Sequence, residues 1–217
     1  MPKGWGIGCN TYPMKKYIAE IIGTFFLVYT VCLTVSSKQE LAPIAIGLSL
    51  AVMIFAGGHL SGAHYNPAVT VAVWLRGKIG FTDAIVYIFC QTVAGVVAAL
   101  VAATLVGKGG GAAPIDMQKL IVAESIGTFA LAWVVLNVAT TKANANNSFY
   151  GAAIGLTVTA GAVAVGGVSG AAFNPAVATG AVAMGLLAGG QLWLYWVANL
   201  LGGAVAAIVF KAIKADD

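Results

Sequence analysis

The chain has 217 residues, of which 60% are hydrophobic and only 8% carry a charge. Soluble domains contain about 25% charged residues, so the composition excludes an ordinary soluble protein and indicates a helical membrane protein. A β-barrel is disfavoured, because the apolar runs are continuous and far longer than barrel strands of about 10 alternating residues. The net charge of +4 does not indicate nucleic-acid binding, since the basic residues lie at the ends of apolar segments.

Six apolar segments are long enough to cross about 30 Å of hydrocarbon. In chain order they are 16–36, 41–60, 82–106, 118–139, 149–167 and 191–213. Two shorter helices, 66–75 and 174–184, follow the second and fifth spans. The glycine-containing stretches Gly57–Tyr65 and Gly166–Phe173 precede them, and we expect both stretches to be irregular backbone, which membranes tolerate where it lines a watery cavity.

The two short helices begin with the same motif. Ser61–Val69 and Ser169–Val177 are nearly identical nine-residue stretches, and their centres read Asn66-Pro67-Ala68 and Asn174-Pro175-Ala176. Asparagine is a preferred N-cap, and proline suits the first helical position because its missing N–H needs no partner there. We predict that each asparagine begins a half-helix and points its side-chain amide into a pore.

The rest of the chain repeats as well. Ala19-Glu20 with Gly23-Thr24-Phe25 returns as Ala123-Glu124 with Gly127-Thr128-Phe129, and Gln91 corresponds to Asn199. Each half has three full spans, an odd number, so the second half enters from the opposite side and the repeat is inverted. We predict one membrane domain over 1–217, with repeats at about 15–106 and 118–213. The two half-helices then meet near the midplane, where their positive dipole ends repel cations.

These motifs resemble the aquaporin (major intrinsic protein) family from about Lys15 to Lys211. The resemblance rests on both Asn-Pro-Ala boxes with their Ser-Gly-Ala leads, on the Ala-Glu and Gly-Thr pairs, and on Gln91. It implies an all-α fold of six transmembrane helices plus two re-entrant half-helices. It also implies a homotetramer, with one pore per subunit, in which water and small neutral solutes cross the lipid bilayer.

The sequence departs from the family at its selectivity constriction. Counting from the boxes and from Gly47 and Gly155, the four constriction positions are Ile46, Ala162, Ala171 and Val177. Most members have arginine where this chain has Val177, and aromatic and histidine residues where it has Ile46 and Ala162. The resemblance to vacuolar-type plant members, which also have valine there, implies water, ammonia, urea and hydrogen peroxide as solutes.

Other functions stay open at this point. A glycerol-type facilitator is one alternative, although Ala178 and Tyr195-Trp196 match the water-channel branch. A coupled secondary transporter is another, since such transporters also use inverted repeats and broken helices. A structural membrane protein with a non-conducting pore is a third. We expect no enzyme, catalytic set, metal or cofactor, because no nucleophile–base pair or metal-ligand spacing is apparent.

Four polar residues near the boxes have competing interpretations. Glu20 and Glu124 are carboxylates within apolar spans, and such acids are functional candidates by default. They form either a proton relay, a set of ion ligands, or acceptors that hold the irregular loops in shape; the resemblance favours the last. His59 and His64 flank the first loop and either support it or gate the pore in response to pH.

The distribution of basic residues predicts the orientation. With the N-terminus inside, the inner segments contain Lys3, Lys15, Lys16, Arg76, Lys78, Lys142, Lys211 and Lys214, and the outer ones contain Lys38, Lys108 and Lys119. This bias predicts both termini in the cytoplasm. For the membrane itself, we expect the cell membrane. The first residues lack the pattern of a signal peptide, so we expect the first span to be retained. Cys9, Cys32 and Cys90 form no paired framework, and the last two are interpreted as small apolar residues.

Overall fold

The computed structural model describes residues 13–213 and is helical throughout its regular elements. Eight α-helices are found in this part of the chain: α1 (Pro13–Ser36), α2 (Ala42–Ser61), α3 (Pro67–Leu75), α4 (Phe81–Val106), α5 (Met117–Thr140), α6 (Tyr150–Ser169), α7 (Pro175–Met184) and α8 (Leu192–Ala212). A single 3₁₀ turn, Gly189–Gln191, precedes α8. Lys3, Cys9 and Lys214, which entered the sequence predictions, lie outside the described residues.

Six of the described helices are long and apolar enough to cross a membrane, and α3 and α7 are too short to do so. The fold class predicted from the sequence is therefore confirmed, and the chain is a multi-pass integral membrane protein. Cys32 and Cys90 are free thiols that lie buried between the helices.

The irregular stretches are shorter than the sequence predicted. We expected non-helical backbone over Gly57–Tyr65 and Gly166–Phe173, but α2 continues to Ser61 and α6 to Ser169. The reason is that the ordinary helical hydrogen bonds persist: the amide of Gly62 still donates to the carbonyl of Gly58 at 3.0 Å, and that of Gly170 to Gly166 at 2.9 Å. Both helices end where a glycine turns to positive φ, at Gly62 (85°) and Gly170 (86°).

The spans form a ring that the two half-helices complete. α1 packs against α2 and α4, α5 packs against α6 and α8, and α2 packs against α6. α3 and α7 each pack against both α4 and α8, so the pair occupies the space between those two spans. α3 and α7 also contact each other, which brings the starts of both half-helices together inside the ring.

Glycines allow the spans to approach the half-helices closely. A Cβ added to Gly95 of α4 would lie 2.6 Å from the Ala176 carbonyl oxygen, and one added to Gly203 of α8 would lie 2.6 Å from the Ala68 carbonyl oxygen. No real Cβ tolerates such a distance to backbone, so a larger residue at either glycine would push a half-helix out of place. Small residues serve the same purpose in other membrane helix interfaces.

Candidate functional site

The two asparagines of the repeated motif cap the two half-helices. The side-chain oxygen of Asn66 accepts from the backbone amides of Ala68 (2.8 Å) and Val69 (3.4 Å). The oxygen of Asn174 accepts from Ala176 (2.9 Å) and Val177 (3.4 Å). Pro67 and Pro175 occupy the first helical position of α3 and α7, where their lack of an N–H leaves nothing unpaired. The caps therefore have the geometry that the sequence predicts.

The amide nitrogens of the same asparagines join the two loops. Asn66 donates from Nδ2 to the carbonyl of Phe173 at 2.9 Å, and Asn174 donates from Nδ2 to the carbonyl of Tyr65 at 2.8 Å. The sequence predicted only that these amides point into a pore. A primary amide has two hydrogens, so each side chain binds the opposite loop with one and keeps the other. Both side chains are almost fully buried and line the same internal cavity.

The loops have an unusual backbone. Ala63 and Tyr65 in the first loop, and Ala171 and Phe173 in the second, all have positive φ values of 48° to 49°. Non-glycine residues with this conformation are strained by about 1–3 kcal/mol each, and they persist only where the surroundings hold them. The two loops therefore need compensating contacts, and two buried carboxylates provide them.

Glu20 of α1 binds the first loop. One carboxylate oxygen accepts from the amide of His64 (2.9 Å) and from the hydroxyl of Ser61 (2.6 Å). The other accepts from the amide of Tyr65 (2.7 Å) and from Nε2 of Gln91 (2.8 Å). The carboxylate is fully buried, and its four donors occupy both of its oxygens. The geometry thus fits the loop-holding interpretation of Glu20.

Glu124 of α5 binds the second loop in the same way. Its oxygens accept from the amides of Ala172 (3.0 Å) and Phe173 (2.8 Å) and from the hydroxyl of Ser169 (2.7 Å). Asn199 stands where the first half has Gln91, and its oxygen accepts from Thr128 at 2.9 Å. Each loop is therefore held by the carboxylate of the first span of its own half.

Aromatic residues to which the sequence analysis assigned no part in the loops complete each loop. The ring of Tyr65 packs on Gly23 and that of Phe173 packs on Gly127, with no room for a Cβ at either glycine. The hydroxyls of Tyr87 (2.8 Å) and Tyr195 (2.6 Å) donate to the carbonyls of Ser61 and Ser169. The sequence contained a signal for the two tyrosines, because Tyr87 and Tyr195 are separated by the same offset as Gln91 and Asn199 and so occupy matching positions in the two repeats.

The two histidines are placed very differently. His64 is 8% exposed, contacts the hydroxyl of Thr70 at 3.1 Å through Nδ1, and faces the ring of Tyr87. His59 lies exposed in the last turn of α2, and none of the hydrogen bonds that hold the first loop involves it. His64 is thus joined to the loop and cavity, whereas the structure gives no contact that would let His59 support the loop.

All four residues predicted at the constriction line one internal cavity of about 60 Å³. Ile46 reaches it from α2, Ala162 from α6, Ala171 from the second loop and Val177 from α7. Most of the remaining lining is aliphatic, and its polar side chains are His64, Asn66 and Asn174. No lysine, arginine, aspartate or glutamate is among the described residues that line it. A ring of spans around two facing half-helices, enclosing such a cavity, defines a helical membrane channel.

Comparisons with known proteins identify the kind of channel. Residues 10–210 match the model of the major intrinsic protein family. The chain is 33% identical over 220 residues to the glycerol uptake facilitator protein-like 6 of Lactiplantibacillus plantarum, covering 94% of this chain and 100% of that one. It is 31% identical over 233 residues to aquaporin Z of Photorhabdus laumondii, covering 94% and 99%.

A solved structure has the same fold. The aquaglyceroporin from Plasmodium falciparum superposes with a TM-score of 0.80 at 21% identity, covering 93% of this chain and 96% of that one. The chain belongs to the major intrinsic protein (aquaporin) family. It is a transmembrane channel for water and small solutes, and family membership removes the coupled transporter as an alternative.

Proposed function

We propose that the protein is a passive channel with a wide apolar constriction at Ile46, Ala162, Ala171 and Val177, through which water, hydrogen peroxide, ammonia and urea cross the membrane. The observation that carries the proposal is the aliphatic lining of the cavity at all four positions. An aliphatic ring has no fixed donor that favours water over other neutral solutes. Its two alanines also leave more width than a ring of arginine, histidine and an aromatic residue.

Exclusion of ions is assigned to the midplane in this proposal. With no charged side chain in the described lining, the barrier to cations comes from the positive N-terminal ends of α3 and α7, which meet at Asn66 and Asn174. The second amide hydrogen of each asparagine is available to a passing solute oxygen, because the first is held by the opposite loop. Pro67, Ala68, Pro175 and Ala176 fix where these amides sit.

Glycerol is the second candidate solute. It is favoured by the similarity to a protein named a glycerol uptake facilitator-like protein and by the missing arginine. It is disfavoured by Ala178 and Tyr195-Trp196, which match the water-channel branch. Glycerol flux is therefore measured alongside the other solutes.

The test uses the purified protein in liposomes. After an osmotic step, light scattering on the millisecond scale reports water flux, and inwardly directed gradients of urea, peroxide, ammonia and glycerol report the others. We expect water and urea flux well above that of empty liposomes. Water flux equal to that of empty liposomes would refute the channel proposal, and water flux without urea flux would refute the wide constriction.

We propose further that residues 1–217 form one channel domain of two inverted repeats, about 15–106 and 118–213, and that the protein is a homotetramer. The tetramer is what the family resemblance implies, and a groove of about 840 Å³ along α5 and α6, apolar apart from Lys119 and Thr157, is available to a neighbouring subunit. We propose a cell-membrane location with both termini cytoplasmic, which the basic residues support. The termini themselves lie outside the described residues. Native mass spectrometry measures the subunit number, and protease access to a C-terminal tag in sealed cells measures the orientation.

A further inference from the structure

The internal cavity extends to both sides of the midplane, and most of its lining consists of matching positions in the two repeats. Ile46 and Ile154 both line it, and they are separated by the same offset as Asn66 and Asn174. Each isoleucine lies near the start of its span, and α2 and α6 cross the membrane in opposite directions. We call the half of the membrane in which α1 begins the inner half, and the other the outer half. Ile154 thus lies in the inner half and Ile46 in the outer half.

The four-residue constriction of the proposed function lies in the outer half, and the inner half has a matching set of positions. Three of the outer residues have matches that also line the cavity: Ile46 with Ile154, Ala171 with Ala63, and Val177 with Val69. The match of Ala162 is Ile54, which is 1% exposed and lies outside the lining. The cavity therefore has a second ring of side chains in the inner half.

One matching pair of the lining breaks this symmetry. The first loop has His64 where the second loop has Ala172, and both residues line the cavity. His64 is the only residue with a ring among the described residues of the lining. Since an alanine side chain ends at Cβ, the imidazole fills space in the inner half that Ala172 leaves unfilled in the outer half. At this level the inner half is the narrower of the two.

The imidazole of His64 is held in position on two sides. Its Nδ1 lies 3.1 Å from the hydroxyl oxygen of Thr70. That hydroxyl donates to the carbonyl of Asn66 at 2.9 Å and accepts from Nε2 of Gln91 at 3.0 Å. The ring centre also lies 5.2 Å from that of Tyr87, with the two ring planes at 70°. A solute would have to break these contacts to push the imidazole aside, so His64 is a fixed wall of the cavity.

The second loop shows that its own fold does not need such a ring. Ala172 and Ala178 stand at the positions that match His64 and Thr70. The flanking residues nevertheless have the same positive φ values, 48° and 49° in the second loop and 49° in the first. The amide of Ala172 is still bound by the carboxylate of its own half, at 3.0 Å. The loop geometry thus depends on backbone amides, and the imidazole of His64 is left for a role in the cavity.

We propose that His64, together with Val69 and Ile154, forms a second constriction in the inner half, and that this constriction sets the largest solute that the channel conducts. The inference rests on the proposed function, because a wide outer constriction leaves the size limit to the inner one. Glycerol is longer and bulkier than urea. Glycerol is therefore the solute that the imidazole impedes, and urea passes beside it.

The test measures glycerol and urea flux by stopped-flow light scattering of liposomes that contain the purified full-length protein. His64→Ala gives the inner half the residue that the outer half has. We expect it to raise the ratio of glycerol to urea flux about tenfold, the lower end of what one methylene group decides in a pocket. Water flux is measured in the same liposomes and shows that the variant is folded.

A matched pair of variants separates the inner constriction from the outer one. Ile154→Ala and Ile46→Ala make the same change at matching positions of the two repeats. We expect Ile154→Ala to raise the ratio of glycerol to urea flux, because it widens the limiting ring. We expect Ile46→Ala to leave the ratio nearly unchanged, because the outer ring is already wide.

The outcomes distinguish this inference from the proposed function. An unchanged flux ratio in His64→Ala that still conducts water would overturn the inner constriction, and so would equal rises in Ile154→Ala and Ile46→Ala. If His64→Ala conducts no water, the comparison of Ile154→Ala with Ile46→Ala decides. Absence of urea flux in the unchanged protein would refute the wide outer constriction. In that case urea flux that appears in His64→Ala supports the inner constriction, and urea flux that stays absent overturns it.

Discussion

Asn66 donates a hydrogen bond from its side-chain amide to the carbonyl of Phe173, at 2.9 Å, and thereby ties the first re-entrant loop to the second. Asn174 returns the same bond to Tyr65. The two asparagines therefore cap their own half-helices and connect the half-helices to each other. The oxygen of each side-chain amide caps its own half-helix, and the nitrogen binds the opposite loop. The two half-helices and their loops therefore form a single hydrogen-bonded unit at the midplane of the channel.

Since the oxygen and the nitrogen of the Asn174 side chain have separate partners, a variant that removes only the nitrogen tests the link between the loops. Asn174→Asp keeps an oxygen for the cap but loses the donor to Tyr65 and places a charge in a buried site. We expect the free energy of unfolding to fall by about 1–3 kcal/mol, measured as a lower unfolding temperature in detergent. The matched control is Asn147→Asp, whose amide donates to Val138 near the end of α5 and to Asn144 in the loop that follows α5. Equal effects of the two variants would contradict the connecting role.

The buried carboxylates predict a loss of stability and not a loss of proton transfer. Glu20→Gln turns an amide NH₂ towards backbone donors that a carboxylate now accepts, and each unpaired buried donor costs about 1–3 kcal/mol. We expect little folded Glu20→Gln protein in size-exclusion chromatography, and the same for Glu124→Gln. A variant that is fully stable but blocks flux would instead support the proton relay.

The contact between Gly23 and the ring of Tyr65 predicts a strong effect of a single methyl group. Gly23→Ala would force the ring and its strained backbone to move, and overpacking of this kind typically costs about 1–3 kcal/mol. Gly110→Ala is the control, since a Cβ at Gly110 meets no atom within 4 Å. We expect thermal unfolding to separate the two variants clearly. A Gly23→Ala protein as stable as the control would show that the ring is not held against α1.

Much of the fold was predictable because its signals are local. Asn66 and Pro67 act on the residues that follow them, and the apolar spans are bounded by polar turns, so the helix bounds differ from the sequence predictions by only a few residues. The carboxylate role of Glu20 was one of several interpretations, because an isolated acid does not reveal its donors.

The remainder depends on contacts between distant parts of the chain. The sequence predicted that the two half-helices meet near the midplane. It could not predict which atoms bond there, such as the side-chain amide of Asn66 with the carbonyl of Phe173. The helical course of Gly57 and Gly58 was misjudged because glycine permits a bend without requiring one, and here the helical hydrogen bonds prevail. His59 and His64 are alike in sequence context, yet one side chain faces the exterior and the other the cavity.

The wide aliphatic constriction is the central claim, and Val177 tests it most directly. Stopped-flow light scattering of liposomes would compare urea and water flux through the unchanged protein, Val177→Arg and the neutral control Val177→Ile. The account predicts that Val177→Arg reduces urea flux at least tenfold while water flux persists. Val177→Ile is predicted to reduce urea flux far less than Val177→Arg does, since it adds one methylene and neither a charge nor a hydrogen-bond donor. Urea flux that is unchanged in Val177→Arg, in a protein that still conducts water, would contradict the account.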